Sequence, residues 1–499
     1  MDLRRRRPKP ARRARPVALV AALVLLAAAV PVRAVTVGRI PFQDCRLEHP
    51  AGLASVPARC GELEVAENPA EPAGRRIVLR IALLQALDRS RAKEPLFLVA
   101  GGPGQAATDF YAIAAGAFGP VRRTHDLVLI DQRGTGGSNR LRCDFPPDFD
   151  IDTPTPAQIR ALSAECRTHL PGRPEFYTTS MAVSDLEAVR AALGFPAISL
   201  YGISYGTRVV QHYVRRHPDR ARAVVLDGIL PPDRSPVPET PFAAERALRL
   251  MFARCHADAG CEHAFPDLAQ RFDALRAQLG SHPVHLRLAD PATGVPRDFD
   301  FDASALAGTV RLLNYYAPTT ALLPFLLDRA ARGDMAALGA QLLVFTQNLD
   351  EQLAYGMNVA VSCTEDAPLL GATDRAAAAK TYLGTLQVDG LVTLCEGWPR
   401  GVVDADLSAP LDSRVPALLL SGEADPVTPP AFGERAAAGF RDHVHVVVPG
   451  QGHGQLGTGC APELMATFLT AGTARGLDVR CLKGEAAPPF VLDYAGPAP

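Results

Sequence analysis

The sequence predicts an α/β fold, a mainly parallel sheet with helices on both faces and an inserted, mostly helical cap. Three observations carry that expectation. Short, continuously apolar runs recur along the chain, LFLVA at 96–100, AVVLD at 223–227 and ALLLS at 417–421. Runs of that kind suit strands buried on both faces of a parallel sheet. Segments with apolar residues at helical spacing separate them. The alternation stops after Gly228 in a cluster of prolines (Pro231, Pro232, Pro236, Pro238, Pro241) and resumes only near residue 417.

The N-terminal segment Met1 to Ala34 has the layout of a secretory signal peptide. A basic block (Arg4 to Arg7, Lys9, Arg12, Arg13, Arg15) precedes the apolar run Val17 to Val30, and the segment closes on Val32-Arg33-Ala34. The run falls short of the roughly 20 residues that cross a bilayer, so cleavage after Ala34 is favoured over a retained anchor. No cysteine lies near the cut to carry a lipid. General and twin-arginine export both stay open. The expected product is a secreted or periplasmic protein without a stable membrane anchor.

The elements then follow in order. Ile77–Leu84, Leu96–Ala100 and His125–Asp131 read as strands, and Met181–Leu193 as a helix stopped by Gly194-Phe195-Pro196. Ala197–Tyr201 is a strand, Thr207–His217 a helix stopped by Pro218, and Ala223–Asp227 a strand. Helical spacing marks Phe242–Ala253, Leu268–Leu279, Ser304–Tyr316, Leu322–Ala331 and Met335–Phe345. Strand Ala417–Ser421, helix Phe432–Gly439 and strand Val444–Val448 complete the pattern. The expected core is therefore 35–232 together with 405–499, with the cap at 233–404.

Composition narrows the function classes. The 499 residues are 47% hydrophobic and 21% charged with a formal net charge of −1, which fits neither a disordered chain nor a nucleic-acid binder. Ten cysteines occur as neighbours along the sequence: Cys45/Cys60, Cys143/Cys166, Cys255/Cys261, Cys363/Cys395 and Cys460/Cys481. An even count in an exported chain favours disulfides, and nearest-neighbour pairing would close five short loops, although connectivity does not follow from sequence. The rival is a zinc site at Cys255-His256 and Cys261-Glu262-His263.

The chemistry centres on Gly202-Ile203-Ser204-Tyr205-Gly206, which follows one strand and opens the next helix. This is the setting that holds a serine on a tight, strained turn at the carboxyl edge of a sheet. A serine hydroxyl needs a base, and His453 supplies it from the glycine-rich loop Gly450-Gln451-Gly452-His453-Gly454 after a late strand. The imidazole needs a carboxylate to fix its tautomer. Asp425 is the choice, with Glu423 and Asp227 as competitors. Backbone donors for the developing oxyanion are expected from Tyr205 and, in the loop Ala100-Gly101-Gly102-Pro103-Gly104, from Gly102, with Gly101 next. The chemistry requires no metal or organic cofactor.

GGPG after a strand, Asp131-Gln132-Arg133-Gly134-Thr135-Gly136-Gly137-Ser138, the serine elbow, Gly422 to Asp425 and Gly452-His453 together resemble α/β-hydrolases of the proline iminopeptidase and tripeptidyl aminopeptidase family. The resemblance spans about residues 40 to 485. It implies the α/β-hydrolase fold and an aminopeptidase acting on free peptide N-termini. Ala100 stands where iminopeptidases commonly carry His, which weakens proline specificity. The Cys460/Cys481 pair resembles the secreted tripeptidyl aminopeptidase branch. So does Val361-Ser362-Cys363-Thr364-Glu365-Asp366, which makes Glu365 the candidate amine ligand with Asp366 and Glu396 behind it. A secreted carboxylesterase with the same triad is the alternative enzyme. A non-catalytic binding protein on the same scaffold is the alternative of another class.

Overall fold

The structure, a computed structural model, describes residues 35–143, 155–291 and 293–497. The leader expected at 1–34 lies outside the described residues. One ten-stranded sheet organises the chain. Its strands are β1 (Val35–Val37), β2 (Ile40–Glu48), β3 (Ser55–Ala66), β4 (Arg76–Leu84), β5 (Lys93–Val99), β6 (His125–Ile130), β7 (Ile198–Ile203) and β8 (Ala221–Asp227). After the insertion, which has its own hairpin β9 (Val284–Ala289) and β10 (Pro296–Phe301), come β11 (Ala417–Gly422) and β12 (His443–Val448). The spatial order is β1-β2-β3-β4-β6-β5-β7-β8-β11-β12.

From β6 to β12 every pairing is parallel, whereas β1 to β4, and β4 against β6, pair antiparallel. The apolar runs legible in the sequence are the parallel strands and β4. All six residues of β11 are buried, as are all of β7 before Ile203. β1, β2 and β3 were not expected. In β2 only Ile40, Phe42 and Leu47 are buried, and polar or charged residues stand between them, so neither a continuous apolar run nor a clean alternation announces the strand.

Helix Thr179–Leu193 starts where the Thr178 hydroxyl accepts from the Met181 amide and ends at Gly194 with φ 79°. Helix Tyr205–Arg216 follows β7 directly. The insertion opens with helix Pro236–Ala257, six residues before the expected start. Pro236 and Pro238 fit there because first-turn amides have no helical partner to lose. The β9–β10 hairpin is the one non-helical element in the described residues of this mostly helical insertion. Its alternating burial along Val284–Ala289 is a period-two pattern inside a helical block. The described residues form one compact unit, so the insertion is not a separate body.

Five disulfides join Cys45–Cys60, Cys143–Cys166, Cys255–Cys261, Cys363–Cys395 and Cys460–Cys481. The zinc alternative falls with the third pair, because its two sulfurs are bonded to each other and His256 is a surface partner of Glu262. No helix among the described residues is long and apolar enough to cross a membrane.

Candidate active site

Ser204 sits between β7 and helix Tyr205–Arg216 with φ 55° and ψ −126°. A non-glycine residue in that region stores about 1–3 kcal/mol of strain. Its surroundings hold it there: the Ser204 amide donates to the Asp227 carbonyl at 2.9 Å. The elbow glycines are needed for close approach. A Cβ on Gly206 would overlap the Val99 and Ala100 carbonyl oxygens, and one on Gly202 would lie 2.6 Å from the Gly206 oxygen. Ser204 itself is only half-buried.

The turn after β11 delivers Asp425, which is fully buried. Its Oδ1 accepts from the Val427 and Thr428 amides at 2.9 and 2.8 Å, and Oδ2 accepts from the Thr428 hydroxyl at 2.8 Å. Oδ2 also lies 2.7 Å from His453 Nδ1. The loop after β12 delivers His453, whose amide donates to the Tyr315 carbonyl at 2.6 Å and whose ring meets the Tyr315 ring edge-on at 5.4 Å. Its imidazole packs against Gly228, where a Cβ would come within 2.9 Å of Cε1 and 3.4 Å of Nε2. Gly228 follows the residue that holds the Ser204 amide, so serine and imidazole share one rim of the sheet. Nε2 has no hydrogen-bond partner among the described residues, and the bond to Ser204 Oγ is not formed in this structure. Catalytic hydrogen bonds of this kind often tighten only around substrate. Burial pulls the His453 pKa down, but the Asp425 carboxylate outweighs it and the net direction is upward, with Asp227 adding to the rise.

Both competitors of Asp425 have other tasks. Asp227 accepts from the Gln455 and Leu456 amides at 2.6 and 2.9 Å and from the Tyr201 hydroxyl at 2.9 Å, so it anchors the loop beyond His453. Burial pushes its carboxyl up to about 6. Glu423 fastens the start of the same loop through the Gly450 amide.

The GGPG loop reaches the nucleophile. A Cβ on Gly101 would lie 3.0 Å from Ser204 Cβ and 3.6 Å from Oγ. Tyr205 is the first residue of its helix, where the amide has no helical acceptor. The insertion closes over this loop: the Ala354 amide donates to the Gly104 carbonyl, and Asn358 Nδ2 to the Pro103 carbonyl, each at 3.0 Å.

The DQRGTGGS segment braces this region. Asp131 accepts from the Thr108 amide and hydroxyl and from the Gly137 amide. Arg133 grips Asp185 with two bonds of 2.6 and 2.7 Å and donates to the Glu67 and Phe176 carbonyls. Gln132 Nε2 donates to the Tyr205 hydroxyl at 3.1 Å.

The candidate amine ligands already have partners within the protein. Glu365 and Asp366 are brought together, but around Arg208 on the helix that Ser204 opens. Glu365 accepts from the Thr179 amide and hydroxyl at 2.7 Å each, and its side chain is 2% exposed. Asp366 accepts from Arg208 Nη2 at 2.8 Å and is 4% exposed. An incoming ammonium would have to displace a buried guanidinium from both. Glu396 is a surface partner of Arg160. Three residues of the site were missed in the sequence: Thr428, Tyr315 and Gly228. Only Thr428 had a local signal, since Asp425-Pro426-Val427-Thr428 has the spacing at which an Asp oxygen captures the amide three residues on.

Comparison with known proteins matches two segments of the chain to family models. The family described as alpha/beta hydrolase fold matches residues 94–258, and the TAP-like protein family matches residues 380–481. Serine protease Hip1 of Mycobacterium tuberculosis (strain ATCC 25618 / H37Rv) is 26% identical over 484 residues, covering 89% of this chain and 91% of that protein. Tripeptidyl aminopeptidase of Streptomyces lividans is 27% identical over 229 residues, 42% of either chain. Carboxylesterase B of Mycobacterium tuberculosis (strain CDC 1551 / Oshkosh) is 27% identical over 285 residues, 52% of either chain. One match holds the serine elbow and the other the loops of Asp425 and His453; the chain is a serine hydrolase of the α/β-hydrolase fold, similar to the TAP-like proteins.

Proposed function

We propose that the protein is an exported aminopeptidase that releases residues or short peptides from free peptide N-termini through an acyl-enzyme. The observation that carries the reading is the convergence of Ser204 with the Asp425–His453 pair across Gly228. Ser204 Oγ attacks the scissile carbonyl while His453 Nε2 takes its proton, and the Tyr205 and Gly102 amides stabilise the oxyanion. Asp425 keeps the Nδ1–H tautomer, so Nε2 is the free base. The imidazolium then protonates the departing amine, and water repeats the sequence on the acyl-enzyme. Five disulfides support an oxidising compartment. The likeness to the tripeptidyl aminopeptidase supports N-terminal cleavage.

Fluorophosphonate labelling with mass-spectrometric mapping, followed by a panel of free and N-blocked chromogenic peptides beside short-chain esters, tests this. Label is expected on Ser204, with free N-termini preferred and a loss of about 10⁴-fold or more in kcat/KM for Ser204→Ala. Equal labelling of the variant, or turnover of blocked peptides alone, would refute it. The likeness to a carboxylesterase supports the second reading, in which esters turn over best.

A further inference from the structure

The insertion holds a cavity of about 410 Å3 between helix Leu268–Ser281, helix Ala303–Leu313 and residues 379–387. Two guanidiniums line it, Arg276 and Arg311, and no Asp or Glu does. Arg276 donates from Nη1 to the Thr381 carbonyl, and Arg311 from Nη1 to the Tyr315 hydroxyl, each at 3.0 Å. Among the described residues neither pairs with a carboxylate. Arg249, Arg271, Arg332 and Arg375 of the same insertion all do. Glu245, the acid behind the Tyr382 wall, is taken up by Arg249 and the Tyr382 amide. Ala303, Ala307 and Leu383 add small apolar walls beside the neutral polar Ser304, Thr381 and Gln387.

Two like charges held at one concave surface with donors unspent favour a planar anion that accepts from both forks. Small apolar walls beside them suit an aliphatic side chain next to that anion. The cavity is also tied to the base. The Arg311 guanidinium lies 5.4 Å from the Tyr315 ring centroid, and Tyr315 meets His453 with its ring and holds its amide. That puts the cavity on the imidazole's side of the site, where the departing part of a peptide is held.

We propose that this cavity binds a small organic carboxylate through Arg276 and Arg311, the free C-terminal carboxylate of a peptide being the form the hydrolytic site would meet. The peptide source rests on the function proposed above; carboxylate binding does not. Calorimetric titration of full-length Ser204→Ala protein with N-acetyl-leucine and with N-acetyl-leucinamide separates charge from shape. The acid is expected to bind saturably and about tenfold or more tighter than the amide. Arg276→Gln and Arg311→Gln should each erase that difference while Arg311→Lys keeps part of it, in proteins with unchanged unfolding midpoints. Equal binding of acid and amide, or acid binding indifferent to both substitutions, would overturn the assignment.

The second arm compares free-N-terminus peptides ending in carboxylate or carboxamide over a series of lengths. A lower KM for the carboxylates that disappears in Arg276→Gln assigns the cavity to substrate termini. Equal KM at every length, with N-acetyl-leucine still bound, assigns it to free carboxylates. A protein that binds the acid but cleaves no peptide would refute the peptidase function and leave the carboxylate site standing.

Discussion

In the proposed mechanism His453 sets the pH response. As a general base it works neutral, so activity should rise with pH through a pKa above the ordinary histidine value of 6.5, the direction in which Asp425 drives it. Asp425→Asn removes that drive and leaves burial, which lowers an imidazole pKa. The acid limb of kcat/KM should therefore move to lower pH even as kcat falls by about 10⁴-fold. A pH–rate profile of both proteins checks the sign. Thr428→Val deletes the hydroxyl that donates to Asp425 Oδ2 and keeps the amide bond to Oδ1. One hydrogen bond to a charged group corresponds to about 1.5–3 kcal/mol, so kcat should drop about tenfold or more with KM nearly constant. Ser204, Asp425 and His453 were legible because each follows an apolar strand within a turn whose residue types allow few conformations. Tyr315 was not, because its role depends on how a turn 138 positions earlier in the chain than His453, just after helix Ala303–Leu313, folds back over the sheet.

At the level of elements, the parallel strands and β4 could be read, and the outer antiparallel strands β1 to β3 could not. β5 to β8 and β11 are buried nearly throughout and need apolar residues to match, while β2 needs only three. The Glu365–Arg208–Asp366 cluster shows the limit of a motif reading. Acidic residues in the insertion, expected to meet substrate, instead lock it to the helix that carries the nucleophile. Arg208→Met would leave two buried carboxylates facing each other. It should destabilise the protein by about 3–5 kcal/mol, read as a lower midpoint in urea unfolding, with Asp366→Asn in the same background restoring part of the loss.

For the whole molecule, the break in strand rhythm after Gly228 marked the insertion, and the proline cluster there proved to be the start of a helix. What the insertion covers was not legible. Its contacts with Gly104, Pro103 and His453 join residues more than 100 positions apart, and no local pattern encodes them. Cys363–Cys395, both within the insertion, closes a loop of sequence separation 32. Replacing both cysteines by serine should cost about 3–4 kcal/mol by loop entropy, measurable as a lower midpoint beside the unchanged protein.

The bridges described above share one property: every cysteine is joined to its nearest neighbour in sequence, at separations from 6 to 32. A polypeptide threaded N-terminus first through a membrane pore would present each thiol to its proper mate before any other competitor had arrived. A simple oxidant working in order of emergence would then make only native crosslinks. Yield of active enzyme should accordingly fall sharply in a host lacking its thiol oxidase and stay nearly unchanged in one lacking only its disulfide isomerase.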